Sequence, residues 1–232
     1  MQVLLRRLTG WAYSGDTMVA RWRRERMEAF VRLVNPPPGC RVVDLGGTES
    51  LWSLFDHDFR VTLVNLPNAE RPSGELAGLT LVEGDACDLG GVFSDNSFDV
   101  VFSNSVIEHV GGAERQAQFS GEVRRLAPAY WVQTPSARFP IEPHTGVPLY
   151  WQLPGAVRAR LHRGWEGKLP NWAEMAAKTR VLSRRRIKEL FPDGQLYVER
   201  RFLLEKSYAA YRPWPAREAG NGTAQTRKDS AS

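Results

Sequence analysis

The sequence predicts an α/β protein: a doubly wound, mainly parallel sheet with an antiparallel strand near the C-terminus. Three observations predict it. Residues 41–133 alternate short apolar runs with helical or polar crossovers, the pattern of a parallel sheet covered on both faces. Within them, Arg41-Val-Val-Asp-Leu-Gly-Gly-Thr-Glu-Ser50 reads as a strand ending in an acid, a double-glycine turn and a helix start; such a turn lets the backbone approach a ligand closely. Finally, Asp44, Asn65, Asp85 and Asn104 fall at or just beyond successive strand ends, roughly twenty residues apart, the length of one βα unit. In an open parallel sheet those ends converge on the ligand crevice.

Taken in order, Leu4, Leu5 and Leu8 suggest a short amphipathic helix, and Asp16 caps a second that runs to Val34. Val19, Trp22, Met27, Phe30 and Val34 share a face of it, and Asn35-Pro-Pro-Pro-Gly39 ends it. That helix is expected to pack over the sheet edge or the ligand cleft. Strands follow at 41–45, 61–66, 79–83, 98–103 and 129–133, with helices at 50–55 and 113–126. Residues 141–180 break the rhythm with prolines, Tyr150, Trp151, Trp165, Trp172 and one helix over 156–163. They read as an insertion over the carboxyl ends of the strands. Ser183 caps a helix to Leu190. The β-like runs Gln195–Leu203 and Glu205–Tyr211 either form an antiparallel hairpin or flank an earlier strand. From Pro213 the composition predicts a disordered tail. The expected organisation is an N-terminal helical extension (1–35), a main domain (36–212) with a substrate-side insertion (136–180), and the tail (213–232).

The 232 residues, 42% hydrophobic and 25% charged, suit one soluble globular domain with additions. No run of roughly 18 apolar residues predicts a membrane span. The start, Met1-Gln-Val-Leu-Leu-Arg-Arg-Leu8, lacks the long apolar core and small-residue cleavage site of a secretion signal. Cys40 and Cys87 have neither metal nor redox spacing and read as reduced thiols of a cytoplasmic protein. The net charge of +5 permits phosphate-bearing partners without requiring them. Its basic clusters, Arg21 to Arg26 and Arg158 to Lys188 with Arg184-Arg185-Arg186, read as solvated helix faces.

Residues 41–135 resemble a class I S-adenosylmethionine-dependent methyltransferase of the type 11-like, small-molecule kind. Val-Val-Asp-Leu-Gly-Gly matches the first motif, Val-Thr-Leu-Val-Asn-Leu the second and Val-Glu-Gly-Asp-Ala the third. Phe-Asp-Val-Val-Phe-Ser-Asn-Ser-Val-Ile-Glu-His-Val matches the fourth, and Glu122-Val-Arg-Arg-Leu-Ala-Pro with the following strand and Thr134-Pro135 the fifth. Phe139-Pro-Ile-Glu-Pro-His144 is similar to a bacterial subgroup. The resemblance implies a Rossmann-like fold and S-adenosyl-L-methionine as cofactor. It places Asp44, Gly46 and Gly47 along the methionine part, Asn65 on the ribose, Asp85 and the Ala86 backbone at adenine, and Ser103 and Asn104 near the sulfonium. Two departures stand out. Thr48 and Ser50 replace glycines of the first motif, and Asn65 replaces the acid that accepts from both ribose hydroxyls.

Methyl transfer from a sulfonium is an in-line displacement, so the protein mainly aligns the reactants and excludes water. An oxygen nucleophile also needs a base. His109 and His144 follow the fourth and fifth strands and titrate in the right range, with Glu108 and Glu142 as neighbours. Structural contacts are the competing account of both histidines. No residue cluster has metal-ligand spacing. The Asn/Asp-Pro-Pro-aromatic signature of many methyltransferases acting on exocyclic or amide nitrogen is missing after the fourth strand, and full G-x-G-x-x-G spacing is missing after the first. The sequence therefore predicts methyl transfer, as O-methylation, to a small molecule or glycan, with nucleic acid not expected as partner. A catalytically silent cofactor-binding or regulatory module and an RNA- or protein-directed methyltransferase are the alternatives.

Overall fold

A computed structural model describes residues 18–67, 78–140 and 147–215. The expected helix at Leu4 to Leu8, the Asp16 cap, His144 and the chain beyond 215 lie outside them. Helix α1 (Met18–Val34) buries Met27, Phe30 and Val34, one stripe at helical spacing, and ends where Asn35 turns into the left-handed region at φ 53°. The chain then alternates β1 (Arg41–Leu45), α2 (Glu49–Trp52), β2 (Arg60–Asn65), β3 (Leu79–Glu83), β4 (Val100–Asn104), α3 (Ala113–Leu126) and β5 (Ala129–Pro135). After a 3₁₀ turn (Tyr150–Gln152) come α4 (Gly155–Glu166), α5 (Pro170–Lys178), α6 (Arg184–Leu190), β6 (Gln195–Arg201) and β7 (Leu204–Arg212).

The seven strands form one sheet in the order β3-β2-β1-β4-β5-β7-β6. Strands β1 to β5 are parallel, and β7 runs antiparallel to both β5 and β6. The fold is thus the Rossmann-like, doubly wound sheet with an antiparallel C-terminal strand that the sequence predicts. Strands β1, β4 and β5 are buried on both faces, hence their continuous apolar runs. On one face Val42, Leu63, Phe102, Trp131 and Ala209 meet α1, whose Phe30 ring packs edge-on against Phe102 at 5.0 Å and Trp131 at 6.2 Å. On the other, Val43, Val101, Tyr130 and Tyr208 meet α3 and α6. Burial pushes the Cys40 thiol up to about 12 and the Cys87 thiol up to about 11, which keeps both neutral.

The structure corrects three local expectations. The helix after the glycine turn is only Glu49–Trp52. The described part of 141–180 holds two helices and a 3₁₀ turn instead of one helix, because Pro170 begins α5, where its missing N–H is harmless. The β6–β7 turn falls on Phe202 and Leu203, at φ 50° and 67°, so the strand expected to reach Leu203 ends at Arg201. Both central residues of this two-residue hairpin are left-handed, where Asn or Gly is usual, and an apolar pair gave no turn signal.

Phe30 joins helix and sheet. Phe30→Ala is expected to destabilise the protein by about 3–5 kcal/mol, and Leu203→Ser, at a site 94% exposed, by no more than about 0.5 kcal/mol. Urea unfolding of both variants checks the ranking; equal midpoints would show that α1 does not anchor the core.

Candidate active site

The carboxyl ends of β1, β2 and β4 bring Asp44, Asn65 and Asn104 onto the face covered by α1. Asp44 has no exposed surface. One carboxylate oxygen, Oδ2, accepts from the Trp52 indole N–H at 2.8 Å, and Oδ1 meets no hydrogen-bond partner among the described residues. Burial pushes the Asp44 carboxyl up to about 7, and the Trp52 bond offsets only part of that. The two glycines are dictated by packing. Gly46 adopts φ 76°, and a Cβ there would lie 2.5 Å from Val106; a Cβ on Gly47 would lie 2.0 Å from the Asp44 carboxylate. The main chain therefore lies directly on the acid.

Asn65 donates its side-chain N–H to the Gly47 carbonyl at 3.0 Å, which leaves its amide oxygen as the acceptor that bond does not use. The hydroxyls of Thr48 and Ser50 lie 3.2 Å apart and bond to each other. The loop compensates internally for the two glycines it lacks. Asp85 sits after β3 with its carboxylate on Arg115, at 2.7 and 2.5 Å, and accepts from the Cys87 N–H at 3.0 Å. Burial would raise this carboxyl, but Arg115 and the Cys87 N–H together hold it below the usual range. Ala86 packs half-buried against the core. Ser103 is fully buried, and its hydroxyl donates to the Leu45 carbonyl at 2.9 Å, so it braces β4 to β1 beneath the loop.

Asn104 is organised by residues the sequence did not single out. Its Oδ1 accepts from Arg26 of α1 at 2.7 Å, and the same guanidinium donates to Glu199 of β6 at 3.2 and 2.9 Å. Glu199 also accepts from Lys206 at 2.8 Å and from the Ser207 hydroxyl at 2.5 Å. Burial would raise the Glu199 carboxyl, but Arg26, Lys206 and Ser207 together bring it down to about 2. Burial and the nearby Arg26 lower the Lys206 ammonium to about 8 in spite of Glu199, and its Nζ lies 5.0 Å from the Trp22 ring centre. The expectation that Arg21 to Arg26 form a solvated helix face fails at Arg26, which is buried because Glu199 and Asn104 receive its guanidinium. Nothing in the sequence marked Glu199 as its partner, or Trp52 as the donor to Asp44.

His109 leaves β4 beside the fully buried Glu108, with Nε2 3.9 Å from Glu108 Oε1 and Nδ1 3.4 Å from the Thr179 hydroxyl. The Arg180 N–H donates to the Glu108 carbonyl at 2.6 Å. The segment that follows α5 is thus tied to the loop after β4. No group of His, Cys, Asp and Glu suited to a metal occurs among the described residues, and no described helix is long and apolar enough to cross a membrane.

Glu199→Ala would leave Arg26 and Lys206 buried without their carboxylate, an expected loss of about 3–5 kcal/mol. Because Glu199 titrates lower in the folded than in the unfolded chain, its contribution is complete above the ordinary carboxylate range and disappears as pH falls toward 2. Urea unfolding from pH 7 down to pH 2.5 is therefore expected to show a shallower acid limb in Glu199→Ala; parallel limbs would sink this assignment.

Residues 46–128 match a family described as a methyltransferase domain. An uncharacterized protein of Mycobacterium tuberculosis (strain H37Rv) is 27% identical over 160 residues, an alignment covering 62% of this chain and 52% of the relative. The chain thus spans about half the length of the curated relative it matches. The fold is shared with the PH0226 protein from Pyrococcus horikoshii OT3, at 17% identity and TM-score 0.53 over 87% of this chain and 95% of that one. It is shared also with Haemonchus contortus phosphoethanolamine N-methyltransferase 2, solved in complex with S-adenosyl-L-methionine, at 14% identity and TM-score 0.50 over 82% and 52% of the two chains.

Proposed function

We propose that this chain, whose residues 46–128 match a methyltransferase domain, transfers a methyl group from S-adenosyl-L-methionine to a hydroxyl of a small-molecule or glycan acceptor. The observation that carries the cofactor reading is the buried Asp44 carboxylate, with Oδ1 lacking a partner among the described residues and Gly47 pressed against it. A buried acid in that state suits a ligand that brings a positive charge, and the cofactor's methionine end bears an ammonium. Asp44, Gly46 and Gly47 would hold that end. Asn65 would accept from the ribose through its amide oxygen, and Asp85 and Ala86 would border adenine, the former sharing its carboxylate with Arg115. Asn104, fixed by Arg26, would face the reacting end, with Ser103 as the brace beneath it.

When bound, the cofactor supplies a methyl group already activated by a positively charged sulfur. The chain's own tasks are then to exclude water, to place the acceptor oxygen and to take its proton. His109, oriented between Thr179 and Glu108, is the described base candidate; His144 is the second. Residues 136–180 would form the acceptor wall, since the segment after α5 is bonded to the loop carrying His109. The self-satisfied Thr48–Ser50 pair and the Asn65–Gly47 bond argue against reading the altered first and second motifs as decay toward a silent module.

Incubating the protein with methyl-labelled cofactor and fractionated cell extract tests the reaction class; label appearing only in RNA or protein, or nowhere, would overturn it. The Asp44 reading has its own test. In the free protein the carboxyl titrates near 7, and an ammonium ligand needs it ionised. Calorimetric affinity for S-adenosylhomocysteine is therefore expected to fall about tenfold per pH unit below that value, to level off above it, and to lose this pH dependence in Asp44→Asn. An identical pH profile in that variant would remove Asp44 from the site. With an acceptor in hand, His109→Ala is expected to slow turnover by about 10²–10⁴-fold at unchanged cofactor affinity; a loss under about fivefold would assign the base to another group.

A further inference from the structure

A cavity of about 750 Å³ opens where the chain leaves β5, between Ala137–Arg138 and α6. Arg138, Arg184, Arg185 and Lys188 line it, over a floor that includes Leu182 and the Tyr208 ring. The acids around it are over-subscribed. Glu205 is shared by Arg138 at 3.4 Å and Arg184 at 3.7 Å, and also accepts from the Tyr208 hydroxyl at 2.6 Å. Glu189 is shared by Arg185 at 2.8 Å and Arg186 at 3.6 Å. In the lining itself, Arg138, Arg184, Arg185 and Lys188 thus stand against one carboxylate, Glu189, with Glu205 beside it. A concave wall with an apolar floor concentrates the potential of such an excess, and guanidinium forks match the oxygens of a multiply charged oxyanion.

From these observations we infer a binding site for a phosphate ester or diphosphate. The volume lies within the usual range for small-molecule sites, and Arg138, from where the chain leaves β5, joins three cations of α6 around one concavity, which favours a compact anion over a nucleic-acid backbone. Position gives the site a use. Tyr208 lies on β7, two strand spacings (roughly 10 Å) from β4, on the opposite face of the sheet from Asn104 and beside the same strand ends. A phosphorylated acceptor anchored here could extend its hydroxyl into the crevice. Calling the anion part of the acceptor rests on the methyl-transfer reading; the anion site itself does not.

Calorimetry on the full chain at low ionic strength, with pyrophosphate, inorganic phosphate, acetate, a short single-stranded RNA and S-adenosylhomocysteine as separate probes, tests it. Pyrophosphate is expected to bind, with phosphate weaker and acetate undetectable. The double variant Arg138→Ala/Arg184→Ala is expected to weaken pyrophosphate by about tenfold to a hundredfold and to leave S-adenosylhomocysteine unchanged. Pyrophosphate binding without S-adenosylhomocysteine binding would uphold the site and overturn only its link to methyl transfer. The anion site is overturned by no pyrophosphate binding, by equal affinity in the double variant, by acetate binding as tightly, or by RNA binding far more tightly and losing that affinity in the same variant.

Discussion

A carboxylate shut away from water at the end of the first strand constrains everything placed around it. Among the described residues Asp44 has one donor, Trp52, so the short helix α2 must present its indole inward. The residue above the acid must be glycine, because any side chain on Gly47 would occupy the space of the carboxylate. The Gly47 carbonyl in turn receives the Asn65 side chain, which ties the end of β2 to the same loop. A buried, half-satisfied acid is a poor permanent core residue and a good partner for an arriving cation. On the proposed reading, the same burial that destabilises its charged form would favour a ligand carrying an ammonium.

A second buried charge centre fixes the other side of the crevice. Arg26 reaches from α1 to both β4 and β6, and Glu199 gathers Arg26, Lys206 and Ser207 around one carboxylate. An isolated ion at such depth would be costly, and a closed network of charge-assisted bonds offsets that cost while admitting one arrangement only. α1 is therefore more than a lid over apolar residues. It sets the direction of Asn104 and holds the C-terminal hairpin against the sheet at the end where the parallel strands finish.

The two faces of the sheet divide the labour. The face under α1 carries Asp44, Asn65 and Asn104, and the opposite face, under α3 and α6, carries the basic cavity beside Tyr208. Chain segments that leave β4 and β5 bridge the two, and the contacts of Thr179 and Arg180 with His109 and Glu108 join them.

The sequence by itself determined the sheet and the phase of its polar strand ends. Continuous apolar runs mark doubly buried parallel strands, helical spacing marks α3, and Ser183 marks the start of α6, because these signals are local and need no knowledge of the rest of the chain. The tertiary structure alone decided which polar groups meet. Arg26 and Glu199 are 173 residues apart, and only the juxtaposition of α1 with the last two strands makes them a pair. The Phe202–Leu203 turn was invisible because its residues are apolar, and only the register of β6 on β7 places it. Periodicity reports which face of an element is covered, whereas a buried charge takes its meaning from a partner that another element supplies.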